Sequence, residues 1–169
     1  MFEYYQALGL EPKLALDADE LRKRFYERSR ETHPDLVGSS AEDRMAQLND
    51  AFRTLRNPIQ RAEYFLSERG IEFSKDVPPE LLEEVFELNM ALEELRGGDE
   101  SARGQLDAAR EKFAGMQAEI DSGLAVLFTR HDAAGDPATL NEILASLNRR
   151  RYISNLLRDV DKSLKTTGN

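Results

Sequence analysis

Two short clusters hold the side chains of this sequence that could handle protons or metal ions: His33-Pro34-Asp35, and His131-Asp132 with Asp136. A histidine beside a carboxylate is the raw material of a general base, because the imidazole takes the proton and the carboxylate orients the ring. Pro34 works against that use. Proline disfavours the helical region for the residue before it, so His33 is extended. The two side chains are therefore expected on a tight, exposed loop, held out for another molecule rather than set to work on a substrate. The second cluster offers hard ligands to a cation, but a run this short in a turn reads as solvated side chains. The 169 residues contain no cysteine, which removes disulfides, thiolate zinc sites, cysteine-held iron–sulfur clusters and cysteine nucleophiles. No catalytic residue, metal or cofactor is expected, and the chain is not expected to be an enzyme.

The loop must be held by its flanks. Asp17, with Glu20 three residues on, resembles a capping arrangement that opens a helix running to about Thr32, where Pro34 stops it. At about 100° per residue from Leu21, Phe25 and Thr32 fall within about 40° of it, whereas Lys23, Tyr26 and Arg30 gather at roughly 140 to 200°. One face packs and the other is basic. Arg22 and Arg24 widen the basic face, and Glu27 interrupts it. After a loop from Leu36 to Ser40, a third helix is expected from Ala41 to about Arg56, with Met45, Leu48, Phe52 and Leu55 on its apolar face. Asn57-Pro58 breaks it, and a shorter helical piece follows through Arg69, closed by Gly70. Ahead of all these, Phe2 to Leu10 reads as a short helix or turn ended by Gly9 and Pro12.

Pro78-Pro79 cannot continue a helix but suits the start of one, so residues 71–80 mark a boundary between two units. Beyond it lie helical patterns over Pro79 to Arg96, Ala102 to Phe128, and Pro137 to about Leu164. The short connections, Gly97-Gly98-Asp99 and Asp132 to Pro137, imply antiparallel neighbours in a three-helix bundle. Leu106, Phe113, Ile120 and Leu127 recur every seven residues as a core seam. No segment alternates with period two for long enough to propose a sheet, so the fold class is all-α.

The first helix of the tail has two apolar rows. Leu81, Val85, Leu88, Leu92 and Leu95 share one direction and form a core stripe. Leu82, Phe86 and Met90 form a second row, flanked by Glu83, Glu87 and Glu94. Spacing alone leaves two readings open for that row: a wide core arc against two neighbouring helices, or an exposed patch that meets a partner. Residues 76–100 hold nine acids and one base, Arg96.

In this context Tyr5-Gln6-Ala7-Leu8-Gly9-Leu10, the basic helix, His33-Pro34-Asp35 and Leu48-Asn49-Asp50-Ala51-Phe52-Arg53-Thr54-Leu55 together resemble a J-domain, the DnaJ-type module that docks onto ATPase chaperones of the DnaK/HscA class. The resemblance covers Tyr4 to Leu66. Asn57-Pro58 with Arg61-Ala62-Glu63-Tyr64-Phe65-Leu66, an all-helical tail, and the lack of a Gly/Phe-rich linker or cysteine repeats resemble the HscB branch, the co-chaperones of iron–sulfur cluster assembly. The implied architecture is a J-domain helical hairpin over 1–72 and a three-helix client-binding domain over 73–169. The resemblance implies that the His33-Pro34-Asp35 loop stimulates ATP hydrolysis in the chaperone, with Arg22, Lys23, Tyr26 and Arg30 docking onto an acidic patch. It further implies that an IscU-like iron–sulfur scaffold protein binds Leu82, Glu83, Phe86, Glu87, Met90 and Glu94, with Tyr152 on the last helix. Glu83 stands where the family usually has an apolar residue and Met90 where it has an acid, so the charge layout differs while the mixed character survives. Two other readings share these residues: an adaptor for a different client, and a helical bundle in which the tripeptide is accidental.

Arg149-Arg150-Arg151 beside Tyr152 hints at nucleic acid, but 32 acidic against 23 basic residues give a net charge of -9, and phosphate affinity needs a larger basic surface. The arginines are expected to pair with the glutamates of the acidic helix or to contact the scaffold. The longest apolar stretch, Leu124 to Phe128, falls far short of the roughly 20 residues of a membrane span. Met1 to Leu10 lacks a basic start and an apolar run, so no secretory signal is read there and a cytoplasmic location is expected.

Overall fold

The computed structural model describes residues 1–32 and 39–166. His33, Pro34 and Asp35 lie outside the described residues. The helices are α1 Glu3–Ala7, α2 Ala18–Glu31, α3 Ser39–Arg56, α4 Pro58–Glu68, α5 Leu82–Arg96, α6 Arg103–Ala134 and α7 Pro137–Thr166, with short 3-10 turns at Pro79–Leu81 and Glu100–Ala102. Among the described residues there is no strand, and no helix is long and apolar enough to cross a membrane.

Local chemistry sets the ends. Asp17 caps α2 by accepting the Glu20 amide. Asn57 caps α4 through the amides of Ile59 and Gln60, with Pro58 in the first turn, where a missing N–H costs nothing. The expected ends agree within a few residues except for α6, which runs to Ala134 rather than Phe128. Asp132 does not open a turn. Nothing breaks the helix until Gly135, whose φ of +64° gives the left-handed stop, and Pro137 starts α7.

The chain divides into two compact units, 1–72 with 127–140, and 73–126 with 141–169. Residues 127–140, read from sequence as part of the tail, thus pack with the first unit. In that unit Tyr5, Leu8, Leu14, Leu21, Leu48, Ala51, Leu55, Phe65 and Leu66 are buried. Each such large apolar side chain contributes about 1.5–3 kcal/mol on leaving water. Phe25 of α2 stacks on Phe52 of α3 with ring centroids 4.4 Å apart. Gly9 ends the first turn at φ +66°, and a Cβ there would collide with the Arg28 guanidinium of α2.

In the second unit the core stripe of α5 is buried as its spacing predicts: Leu81, Val85, Leu88, Leu92 and Leu95 are at most 6% exposed. Leu106, Phe113 and Ile120 of α6 are buried with them, as are Ile143, Leu147, Ile153, Leu156 and Val160 of α7. Polar ties fix the helix pairing: Arg110 to Asp161 and Gln117 to Ser154 between α6 and α7, Lys112 to Glu84 between α6 and α5, and Arg96 to Ser163 between α5 and α7.

Candidate functional site

The helix that precedes the His-Pro-Asp tripeptide turns its apolar side inward through Leu21 and Phe25, and this leaves the cationic side in solvent. Arg22, Lys23, Tyr26 and Arg30 are all exposed, Tyr26 by 57%. Arg22 makes a loose pair with Asp19 at 3.5 Å, while Arg24 is held by Glu20 and Arg28 by Glu31. Among the described residues Lys23 and Arg30 form no ion pair. Glu27 is half-buried and leaves the basic face largely unbroken. Positive charge on a rigid helix can steer an acidic partner and set its orientation, and each exposed pair adds only about 0.2–1 kcal/mol.

The first unit is locked by polar groups that the sequence reading assigned no role. Arg61 of α4, only 5% exposed, donates from Nε to the carbonyl of Leu14 and from Nη1 to the carbonyl of Leu55, each at 2.7 Å. Burial lowers its pKa, opposed by Tyr5 and Asp132. The Tyr5 hydroxyl donates to the Lys13 carbonyl at 2.6 Å, and burial raises the phenol pKa well above its ordinary value. Asp132, near the end of α6, accepts the amides of Leu14 and Ala15 at 2.9 and 2.8 Å. The segment between α1 and α2 is therefore held by side chains from both α4 and α6.

This arrangement corrects the reading of the second cluster as solvated side chains. His131 is buried, set edge-on to Phe65 with centroids 5.7 Å apart, and among the described residues neither of its ring nitrogens has a hydrogen-bond partner. Asp136 caps α7 through the amides of Ala138 and Thr139 and the Thr139 hydroxyl, which hold its carboxyl below the usual range. His131 Nδ1 lies 3.8 Å from Asp132, but among the described residues no group of three His, Asp or Glu is placed to hold a metal.

On α5 the two apolar rows part company. Leu82, Phe86 and Met90 are 57%, 66% and 48% exposed, against the buried core stripe one step round the helix. Glu83, Glu87 and Glu94 stand exposed on the same helix. Tyr152 is half-buried on α7, one turn on from Arg149, which reaches Glu80 at the entry to α5; residues three apart share a helix face. The arginine triplet is dispersed: Arg149 on Glu80, Arg150 on Asp121 of α6, and Arg151 over the Phe73 ring at 4.3 Å. Arg149 meets Glu80 at the entry to the acidic helix, as expected, whereas Arg150 pairs with Asp121 of α6 instead.

With this geometry in place, the comparisons with known proteins decide the family. A model described as the DnaJ domain matches residues 3–64, and one described as the HSCB C-terminal oligomerisation domain matches residues 77–161. The chain belongs to the HscB co-chaperone family. Among HscB relatives, the co-chaperone protein HscB homolog of Shewanella baltica (strain OS223) is 33% identical over 141 residues, covering 77% of this chain and 80% of that protein. The HscB homolog of Vibrio vulnificus (strain YJ016) is 38% identical over 123 residues, covering 65% and 72%. The solved chaperone HscB from Vibrio cholerae superposes with a TM-score of 0.64 at 27% identity, over 96% of this chain and 98% of that one. The human co-chaperone protein HscB shares the fold, with a TM-score of 0.66 at 23% identity over 98% and 83%. The HscB assignment gives the exposed face of α2 and the second row of α5 a common frame: one lies in the J-domain match and the other in the C-terminal match.

Proposed function

We propose that this chain docks onto an ATPase chaperone of the DnaK/HscA class through α2 and the His33-Pro34-Asp35 loop, stimulates ATP hydrolysis there, and presents an IscU-like iron–sulfur scaffold protein held on α5. Residues 1–72 carry the chaperone-facing role and residues 73–169 the client-facing role, with 127–140 packed into the first unit. The observation that carries the reading is the exposure of Leu82, Phe86 and Met90 beside three glutamates. A row of large apolar side chains left in water on a helix whose other row builds the core is the mark of a partner site. The exposed cations of α2, immediately before the tripeptide in the chain, support the chaperone contact. Such a contact is weak, fast and salt-sensitive, as suits an activator that must leave after each hydrolysis. Holding chaperone and client at once raises the client's local concentration at the chaperone. The chain itself turns over no substrate in this reading.

Single-turnover ATP hydrolysis by the chaperone, in the presence of scaffold and with or without this chain, tests the proposal. A rate increase that disappears in His33→Gln, with helicity and scaffold binding unchanged, is the expected result. No change in rate on adding the unaltered chain would sink it.

A further inference from the structure

Beside the exposed row, on the side of α5 that faces α6, runs a groove of about 590 Å³. Its α5 wall is Glu87, Met90 and Glu94, and its floor is built from Ala91 of α5 with Ala108 and Ala109 of α6. The groove exists because small residues stand where two helices meet. Three alanines leave room above the buried Phe113 that larger side chains would fill. Lys112 spans one end to Glu84 at 3.6 Å, which leaves Glu87 and Glu94 as the groove's acids with no ion pair among the described residues. They are seven residues apart on one helix, or about 10 Å along its axis, with Met90 between them.

We propose that this groove takes a segment of the client protein that carries two cationic side chains about 10 Å apart and an apolar side chain between them, so that the client contact extends from the α5 row across to α6. The inference rests on the reading of α5 as the client face. Charge complementarity selects the occupant. Glu87 and Glu94, left over once Lys112 is matched by Glu84, reward cations on the guest, and a second copy of this chain, at net charge -9, would bring mostly acids to the groove. An apolar side chain over Met90 and the alanines adds burial that free cations in solution cannot supply. The α6 positions matter most for the test, since they lie outside the α5 row.

The test titrates an IscU-like scaffold protein calorimetrically against the full chain and three variants. Glu94→Lys reverses one end of the groove. Ala108→Leu fills its floor from α6 with a good helix former at an exposed position, so folding is retained. Phe86→Ala reports on the α5 row alone. Each groove variant is expected to weaken scaffold binding by about fivefold or more at unchanged thermal midpoint, with a shallower salt dependence in Glu94→Lys than in the unaltered chain. Unaltered scaffold affinity in Ala108→Leu, with loss in Phe86→Ala, overturns the groove and leaves the α5 row standing. No scaffold binding by the unaltered chain overturns both. Self-association in sedimentation that Glu94→Lys or Ala108→Leu abolishes assigns the groove to a second copy and likewise overturns the proposal.

Discussion

Asp132 accepts the backbone amide of Leu14 at 2.9 Å across 118 positions of sequence. Its other oxygen takes the amide of Ala15, and the carbonyl of Leu14 receives Arg61, so both polar groups of one loop residue are met by side chains from elsewhere in the first unit. Residues 127–140 are bound into that unit by this carboxylate together with the buried Phe128 and His131.

Asp132→Ala removes two charge-assisted bonds and leaves two part-buried amides unmet. A loss of about 2–4 kcal/mol is expected in urea unfolding, with faster hydrogen exchange at the Leu14 and Ala15 amides, and a smaller loss in Asp132→Asn, which keeps an acceptor. An unchanged urea midpoint would show that water replaces the carboxylate without cost.

Arg61→Met keeps most of the apolar stem but abandons the carbonyls of Leu14 and Leu55 in a buried site. About 3 kcal/mol of destabilisation is expected by chemical denaturation, and Arg61→Lys recovers only part of it, because an ammonium cannot reproduce the planar fork. Equal stability of Arg61→Lys and the unaltered chain would contradict this.

Tyr5 gives an alkaline signature. Burial raises its phenol pKa above the ordinary 10.0, so the folded state keeps a proton that the unfolded state releases. The associated stability is complete below about pH 10 and falls as pH climbs from there toward the folded value. Tyr5→Phe should be less stable at neutral pH, having lost the bond to the Lys13 carbonyl, and its stability should decline less steeply between about pH 9 and 11. Parallel curves for the two proteins would refute the assignment.

Leu82→Ala with Phe86→Ala touches residues that are 57% and 66% exposed, so each change should move stability by no more than about 0.5 kcal/mol. Scaffold affinity is expected to fall about tenfold or more, as for truncation of apolar anchors at the centre of an interface. A cooperative loss of thermal stability instead would return the row to the core.

Lys23→Ala and Arg30→Ala should each raise the concentration of this chain needed for half-maximal ATPase stimulation several-fold at low salt, the difference shrinking at roughly 0.5 M salt as screening removes the electrostatic part. A salt-independent half-maximum would place the chaperone contact elsewhere.

Much was legible along the chain because it is local. Capping side chains, prolines and glycines set the helix ends at Asp17, Asn57, Pro58 and Pro79, and the 3.6-residue period picked out the buried stripe of α5 and the basic face of α2. The tripeptide His33-Pro34-Asp35 announced the family by its neighbours, without any coordinate. The second row of α5 was different: periodicity says which residues share a direction, and only the positions of α6 and α7 decide whether that direction meets a helix or water.

The residues missed were those whose partners are remote. Arg61 lay inside a recognised motif, yet its task, holding Leu14 and Leu55 carbonyls, is invisible without the turn that brings them near. Asp132 reads as a solvated turn residue because the amides it serves, those of Leu14 and Ala15, lie 118 and 117 positions away. The helices, the family and the chemistry of the two faces can be read along the chain, since those depend on neighbours three or four residues away. Tertiary structure alone decided that the α6–α7 connection packs with the first unit, that Leu82, Phe86 and Met90 stand in solvent, and that three alanines leave a groove, because burial is a property of what arrives from far along the chain.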